Sequence, residues 1–178
     1  MPNITGSSEQ ESTDVARAME AFSETTDYPL AVVTVAGVDG SIGGCLAGFF
    51  TQCSIEPPRF LVCLSKVNHT FFVSEDAVGL ALHLIGQDQI PLASLFAEET
   101  GDTTDKFALC EWHPGVTGAP VLDECAAWVE GPVLDRLSAG DHEALLMRPV
   151  AGGAGPGHGL LTFGNSPDFR PGHPSPPS

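Results

Sequence analysis

The sequence predicts a mainly β protein, a barrel of short strands with two or three flanking helices. Three observations carry that reading. Apolar, β-branched runs of strand length recur along the chain. Clusters of Gly, Pro and Asp separate them at intervals of roughly 8–12 residues, as in barrels rather than doubly wound sheets. The chain has 178 residues, 42% of them hydrophobic and 17% charged, enough for one domain with a sizeable core and no covalent staples.

The elements follow in order. Residues 1–13, with Gly6, Ser7, Ser8 and Ser12, read as a disordered tail. Thr13 is an N-cap candidate, and Val15, Ala18, Met19 and Phe22 then share one helical face until Pro29. Leu30–Ala36 is a strand, and Val38-Asp39-Gly40-Ser41 is a hairpin signal. The return strand runs Cys45–Thr51, and Glu56-Pro57-Pro58 breaks it. Arg59–Leu64 is a buried strand. Asn68 caps a short helix through Val73, Gly79–Ile85 is another strand, and Gln87–Glu98 a helix with Pro91 early. Further strands are expected at Ala126–Glu130, Val133–Leu137 and Glu143–Val150. The domain is thus placed at 14–150. Residues 151–178 form a Gly/Pro-rich extension with one short strand at Leu160–Phe163 and a disordered end from Pro171.

Seven Lys and Arg stand against 23 Asp and Glu, a formal net charge of −16. A nucleic-acid surface or an anionic membrane face needs a cationic patch that seven residues scattered along the chain do not form. No run of 18 apolar residues occurs and the first 14 residues do not read as a secretory signal, so nothing is expected to span a membrane. Five cysteines without a C-x-x-C pair suggest reduced thiols and a cytoplasmic protein. Cys45, Cys53 and Cys63 read as small core residues.

Several motifs fall short. Asp39-Gly40-Ser41-Ile42-Gly43 lacks the first glycine of a nucleophile elbow. The glycines of 152–159 do not space as a dinucleotide loop. Cys110 and His113 are two ligands without a third, so no metal site is expected. Glu98-Glu99 and Asp123-Glu124 read as solvated pairs.

Three segments remain. Gly44–Pro58 carries small residues at 44, 45, 47 and 48, which let a flat ligand, or equally a packed helix, approach the backbone. Ser65-Lys66-Val67-Asn68-His69-Thr70 gathers a cation, an amide and hydroxyls before a helix, either a phosphate cradle or an ordinary capped helix. Gly140-Asp141-His142 turns the chain and then projects a histidine.

In this order, the segments resemble the flavin reductase family, the NAD(P)H:flavin oxidoreductases built on an FMN-binding split β-barrel. The resemblance covers about residues 15–150. It takes in Ser54-Ile55-Glu56-Pro57-Pro58, Leu61-Val62-Cys63-Leu64, Leu95-Phe96-Ala97, Asp105-Lys106-Phe107, Gly118-Ala119-Pro120-Val121-Leu122 and Gly140-Asp141-His142.

The resemblance implies hydride transfer from a nicotinamide to flavin N5, with FMN, or alternatively FAD, as flavin and NAD(P)H as co-substrate. It implies a homodimer whose reduced flavin serves a partner monooxygenase. It assigns the isoalloxazine to the strand segment Leu46, Ala47, Gly48, Phe49, Phe50, Thr51, Cys53 and Ser54, largely through backbone. It assigns the flavin phosphate to Lys66, Asn68 and Thr70, places Lys106 beside the flavin, and gives His142 the position next to flavin and nicotinamide. The alternative is a flavin-binding protein of the same fold without turnover: a carrier, a sensor or a partner subunit.

The chain departs from the family's hydroxyl-rich strand pattern. Leu46, Phe49 and Gln52 stand where hydroxyls are common, and only Ser54 keeps one. Lys66 replaces a common Arg. Leu160-Leu161-Thr162-Phe163-Gly164 and a Pro-rich tail replace the usual aromatic and basic ending.

Overall fold

The order of strands follows from which segments are apolar on both faces and which on one. The computed structural model describes residues 5–172. Its elements are α1 (Thr5–Thr25), β1 (Ala31–Ala36), β2 (Ile42–Ala47), β3 (Phe50–Ser54), β4 (Arg59–Ser65), α2 (His69–Ser74), β5 (Gly79–Leu84), α3 (Ile90–Glu98), β6 (Trp112–Pro114), β7 (Pro120–Leu122), β8 (Ala127–Ala139), β9 (His142–Met147) and β10 (Ala151–Ala154), with short 3-10 turns at Lys106–Leu109 and Phe163–Asn165. All neighbours in the main sheet are antiparallel. Its order is β2-β1-β5-β8-β9-β4-β3, with β10 added on β8.

The two outermost strands of that order, β2 and β3, are consecutive in the chain, joined through Gly48 and Phe49. β8 serves both halves, pairing with β5 up to Pro132 and with β9 from Val133, and the register shifts between Val133 and Asp135. A long strand that changes partners at a bulge lets one sheet curl round a core. This is the mainly β split barrel expected.

The core has two compartments, and β1 faces both. Ala31, Val33 and Val35 point into the barrel with Val62, Leu64, Leu80, Leu82, Leu145 and Met147. Leu30 and Val32 point outward onto Ile85, Leu92, Phe96, Phe107, Leu122 and Leu161. The alternation is the period of a strand with both faces covered.

Several boundaries differ from the sequence reading. α1 begins at Thr5, not Thr13; Glu9, Gln10 and Glu11 are good helix formers and outweigh the Gly and Ser that suggested a tail. The stripe Val15, Met19 and Phe22 is exposed, as is every residue from Thr13 to Asp27. The expected return strand is two strands, β2 and β3, split at Gly48. Gly131-Pro132, read as a break, lies inside β8 where it changes partners. The glycines of Ala151–Ala154 form β10, and Thr162 makes only an isolated bridge to Pro29. Cys53 is exposed rather than buried, while Cys45 is buried and Cys63 half-buried, and all five thiols are free. The expected loose ends at 1–4 and 173–178 lie outside the described residues.

His83 of β5 is fully buried and ties the layers together. Its Nδ1 donates to the carbonyl of Val32 at 3.0 Å. Its Nε2 accepts the amide of Leu122 at 3.1 Å. One donor and one acceptor suit the neutral ring, and burial pushes its pKa down to about 4. The unfolded chain therefore binds a proton near pH 6.5 that the folded chain refuses until about pH 4. Stability is expected to fall as pH drops through that window, by on the order of 2–3 kcal/mol from this residue. Urea midpoints measured from pH 7 to 4 check this; a flat profile would contradict the buried neutral histidine.

Candidate functional site

The small residues of β2 are used on both faces. A Cβ on Gly44 would lie 2.6 Å from Cε1 of Phe96 and 3.1 Å from Cζ of Phe107, and one on Gly43 would press on Thr70 and Val73. These two positions serve helix and turn packing and need no ligand. Gly48 differs: a Cβ there would meet Cζ of Phe163 at 2.7 Å. Phe163 belongs to the C-terminal segment and is 53% exposed.

Two cavities meet at this point. One, of about 450 Å³, lies between Leu46, Ala47, Gly48, Asn68, Phe96 and the segment Ser166–Phe169. The other, of about 140 Å³, is bounded by Cys45–Phe49, Cys63–Ser65, Asn68 and His142. Leu46, Ala47, Gly48, Asn68 and Phe163 line both, so the cavities are parts of one trough along the end of β2.

His142 opens β9 opposite Ser65 of β4. Its Nδ1 lies 2.8 Å from Oδ1 of Asp141, and its ring meets Phe49 edge-on with centroids 5.3 Å apart. An ionised carboxylate only accepts, so Nδ1 carries the proton and Nε2 is the ring's remaining polar atom. The imidazole hydrogen bond in turn holds the Asp141 carboxyl below the usual range. The turn that presents the pair needs a left-handed residue, and Gly140 supplies it at φ 74°.

The expected site residues divide. Leu46, Ala47, Gly48 and Phe49 line the trough with Asn68 and His142. Phe50 turns inward against the barrel core. Thr51 and Cys53 are exposed on β3, and the Ser54 hydroxyl donates to the carbonyl of Pro57 at 2.6 Å.

Asn68 caps α2 by accepting the Thr70 amide at 3.0 Å. Thr70 itself is buried, with its hydroxyl beside the Cys45 thiol. Lys66 donates to the Ser138 hydroxyl at 2.6 Å and the Gly140 carbonyl at 2.7 Å, anchoring the turn that carries His142.

Lys106 is buried, donates to the Glu99 carbonyl at 2.9 Å and lies 5.4 Å from the centroid of Phe96. Burial pushes its pKa down. It lines a separate cavity of about 500 Å³ with Gly40–Gly44, His69 and Asp102. No Lys or Arg lines the trough.

Sequence reasoning missed Phe163 and Ser166–Phe169 as lining residues. The sequence places Phe163 in a short strand and in an ending that departs from the family's; an aromatic in a Gly/Pro-rich stretch is the available signal. Among the described residues, no group of three or more metal-ligating side chains occurs, and no helix is long and apolar enough to cross a membrane.

If Lys66 is an anchor, Lys66→Met should speed amide hydrogen exchange over residues 138–142 by roughly tenfold, the effect of losing about 1.4 kcal/mol of local stability. Unchanged exchange would show the contacts to be idle.

Comparison with known proteins gives the family. The flavin reductase like domain model matches residues 23–167. The stachydrine N-demethylase reductase subunit of Rhizobium meliloti is 30% identical over 126 residues, covering 70% of this chain and 54% of that protein. An FMN reductase (NADH) of Klebsiella pneumoniae is 30% identical over 149 residues, covering 81% of this chain and 89% of that one. The solved NADH:FAD oxidoreductase of Streptomyces globisporus aligns with a TM-score of 0.71 at 25% identity, covering 82% of this chain and 85% of that one. The chain spans 38% to 64% of the length of the first curated relatives it matches. With its domain match and its split barrel, the chain belongs to the flavin reductase-like family.

Proposed function

We propose that the protein is an NAD(P)H-dependent flavin reductase that binds a flavin, FMN or FAD, in the trough over Leu46–Phe49 and passes reducing equivalents to a partner monooxygenase. The observation that carries this reading is a trough walled by strand backbone and small residues, with a histidine fixed by a carboxylate at one end. A polar, planar ring suits such a wall, because backbone N–H and C=O groups read its edge where Ala47 and Gly48 allow close approach. The names of relatives that reduce FMN or FAD with NADH, and of one that is the reductase subunit of a demethylase, favour the same activity and the same kind of partner.

A bound flavin supplies the ring nitrogen that takes up a hydride from the nicotinamide. The chain supplies position and exclusion of water. Asp141 holds the His142 ring in one tautomer, and the edge contact with Phe49 fixes its plane. Lys66 keeps the turn in register. The phosphate role of Lys66, Asn68 and Thr70 narrows to Asn68: Lys66 is engaged by the turn and the Thr70 hydroxyl is buried.

A homodimer is part of this proposal. The apolar stripe Val15, Met19 and Phe22 is uncovered by its own barrel, which also exposes Val78, Leu134 and Leu137. A second copy carries both halves of such a contact. The free thiols fit a reducing compartment, the cytoplasm.

The test is anaerobic mixing of the protein with FMN and NADH while flavin absorbance is followed. Bleaching above the protein-free rate is expected, and His142→Ala should slow it by roughly 10–100-fold. Flavin retained on desalting without bleaching would favour the binding-only reading, which the absent hydroxyls at Leu46, Phe49 and Gln52 suggest. With a net charge of −16 the surface repels phosphorylated ligands, so turnover should rise with moderate salt. A steep fall would indicate that local cations dominate. Sedimentation should give a dimer, and Met19→Asp with Phe22→Asp a monomer; a wild-type monomer at micromolar concentration would contradict the interface.

A further inference from the structure

The trough is already partly filled by the chain itself. Phe163 lies on Gly48 so closely that a single added carbon would collide with its ring, and the same ring borders both cavities. The backbone that carries it is well held. Leu161 is buried in the outer core, its amide donating to the Ile85 carbonyl and its carbonyl accepting the Leu30 amide, each at 2.8 Å. Thr162 and Gly164 both donate to the Asp27 carboxylate, at 2.9 and 2.8 Å, and Thr162 and Asn165 close a capping box around the turn. Beyond it, Phe169 packs on the outer core and the Arg170 amide donates to Glu98 at 3.1 Å. The segment is fastened on both sides of an aromatic ring that lies against Gly48.

A ring fastened at its backbone and half-exposed at its tip moves by side-chain rotation rather than by unfolding of the segment. With Phe163 on Gly48, the stretch beside His142 holds about 140 Å³ and the ring stands at its border with the larger cavity. Turning Phe163 away would widen that border along Leu46–Gly48.

We propose that Phe163 is a gate for the planar ring: it occupies the face of Gly48 that the flavin requires, and it must rotate away for the flavin to reach His142. This rests on the proposed binding of flavin in the trough. The competition lowers flavin affinity by the population of the closed rotamer, and so favours release of flavin over its retention. The role is one of positioning and exclusion; Phe163 takes no part in the chemistry.

The test measures FMN dissociation constants by fluorescence for the wild type, Phe163→Ala, Phe163→Leu and Phe163→Trp, with thermal melts to establish folding. Phe163→Ala is expected to bind FMN roughly tenfold more tightly, Phe163→Leu to fall between, and Phe163→Trp to bind more weakly than the wild type. In steady state, the KM for flavin should fall in Phe163→Ala. Equal affinity in the wild type and Phe163→Ala would overturn the gate. Weaker binding in Phe163→Ala would also overturn it, by making the ring a stacking platform. FMN binding by neither protein would overturn the flavin reading itself and the gate with it, an outcome distinct from tight binding that ignores residue 163.

Discussion

The glycines of β2 and of the link after it, Gly43, Gly44 and Gly48, leave room that their neighbours depend on. Gly43 admits α2, Gly44 admits Phe96 and Phe107, and Gly48 admits Phe163. Close approach of three layers to one strand leaves its backbone as the wall of a trough rather than the floor of a packed core. The same strand is one edge of the sheet, and two residues later the chain becomes the other edge. Its Gly48-Phe49 link therefore sits where the barrel is split, the natural place for a ligand to enter without displacing a strand. A methyl group at Gly44 would meet rigid aromatic rings that are themselves core residues, so the constraint runs from the trough into the outer compartment.

The electrostatics set a second condition. Five of the seven cations form hydrogen bonds or ion pairs through their side chains with groups of this chain: Arg17 with Asp14, Arg59 with Pro58, Lys66 with the 138–140 turn, Lys106 with Glu99, Arg136 with Ala77. They serve turns and helix ends more than ligands. In the proposed reading the trough recognises its ligand by shape and backbone dipoles and relies on charge weakly. A site of this kind suits a ligand that arrives and leaves as substrate, and it agrees with a wall built from Leu46, Ala47, Gly48 and Phe49 in place of hydroxyls.

The fold was legible where residue type fixes geometry. Asn68 as a cap, Gly40 and Gly140 in turns, and the double-faced apolar run of β1 all stand where the sequence puts them. Gly140-Asp141-His142 was legible as a turn that projects a histidine from the start of a strand, while the hydrogen bond between His142 and Asp141 comes from the structure. Of the segment Leu46–Ser54, the residues as far as Phe49 line the trough. From Phe50 onward, alternation alone does not say which face meets the trough, and the register is set by pairing with β4. For Lys66 and Lys106 a cation near a motif shows what it could bind, while the partners the structure gives them lie 72 and 7 residues away in sequence. Phe163 was not legible, because its contact with Gly48 spans more than a hundred residues and no local pattern encodes it.

The most direct measurement is a crystal structure of the protein with FMN bound. The account requires the isoalloxazine to lie against the backbone of Ala47–Phe49 within reach of His142, with the Phe163 ring turned off Gly48. A ring found in the cavity beside His69, Asp102 and Lys106, with Phe163 still seated on Gly48, would contradict it.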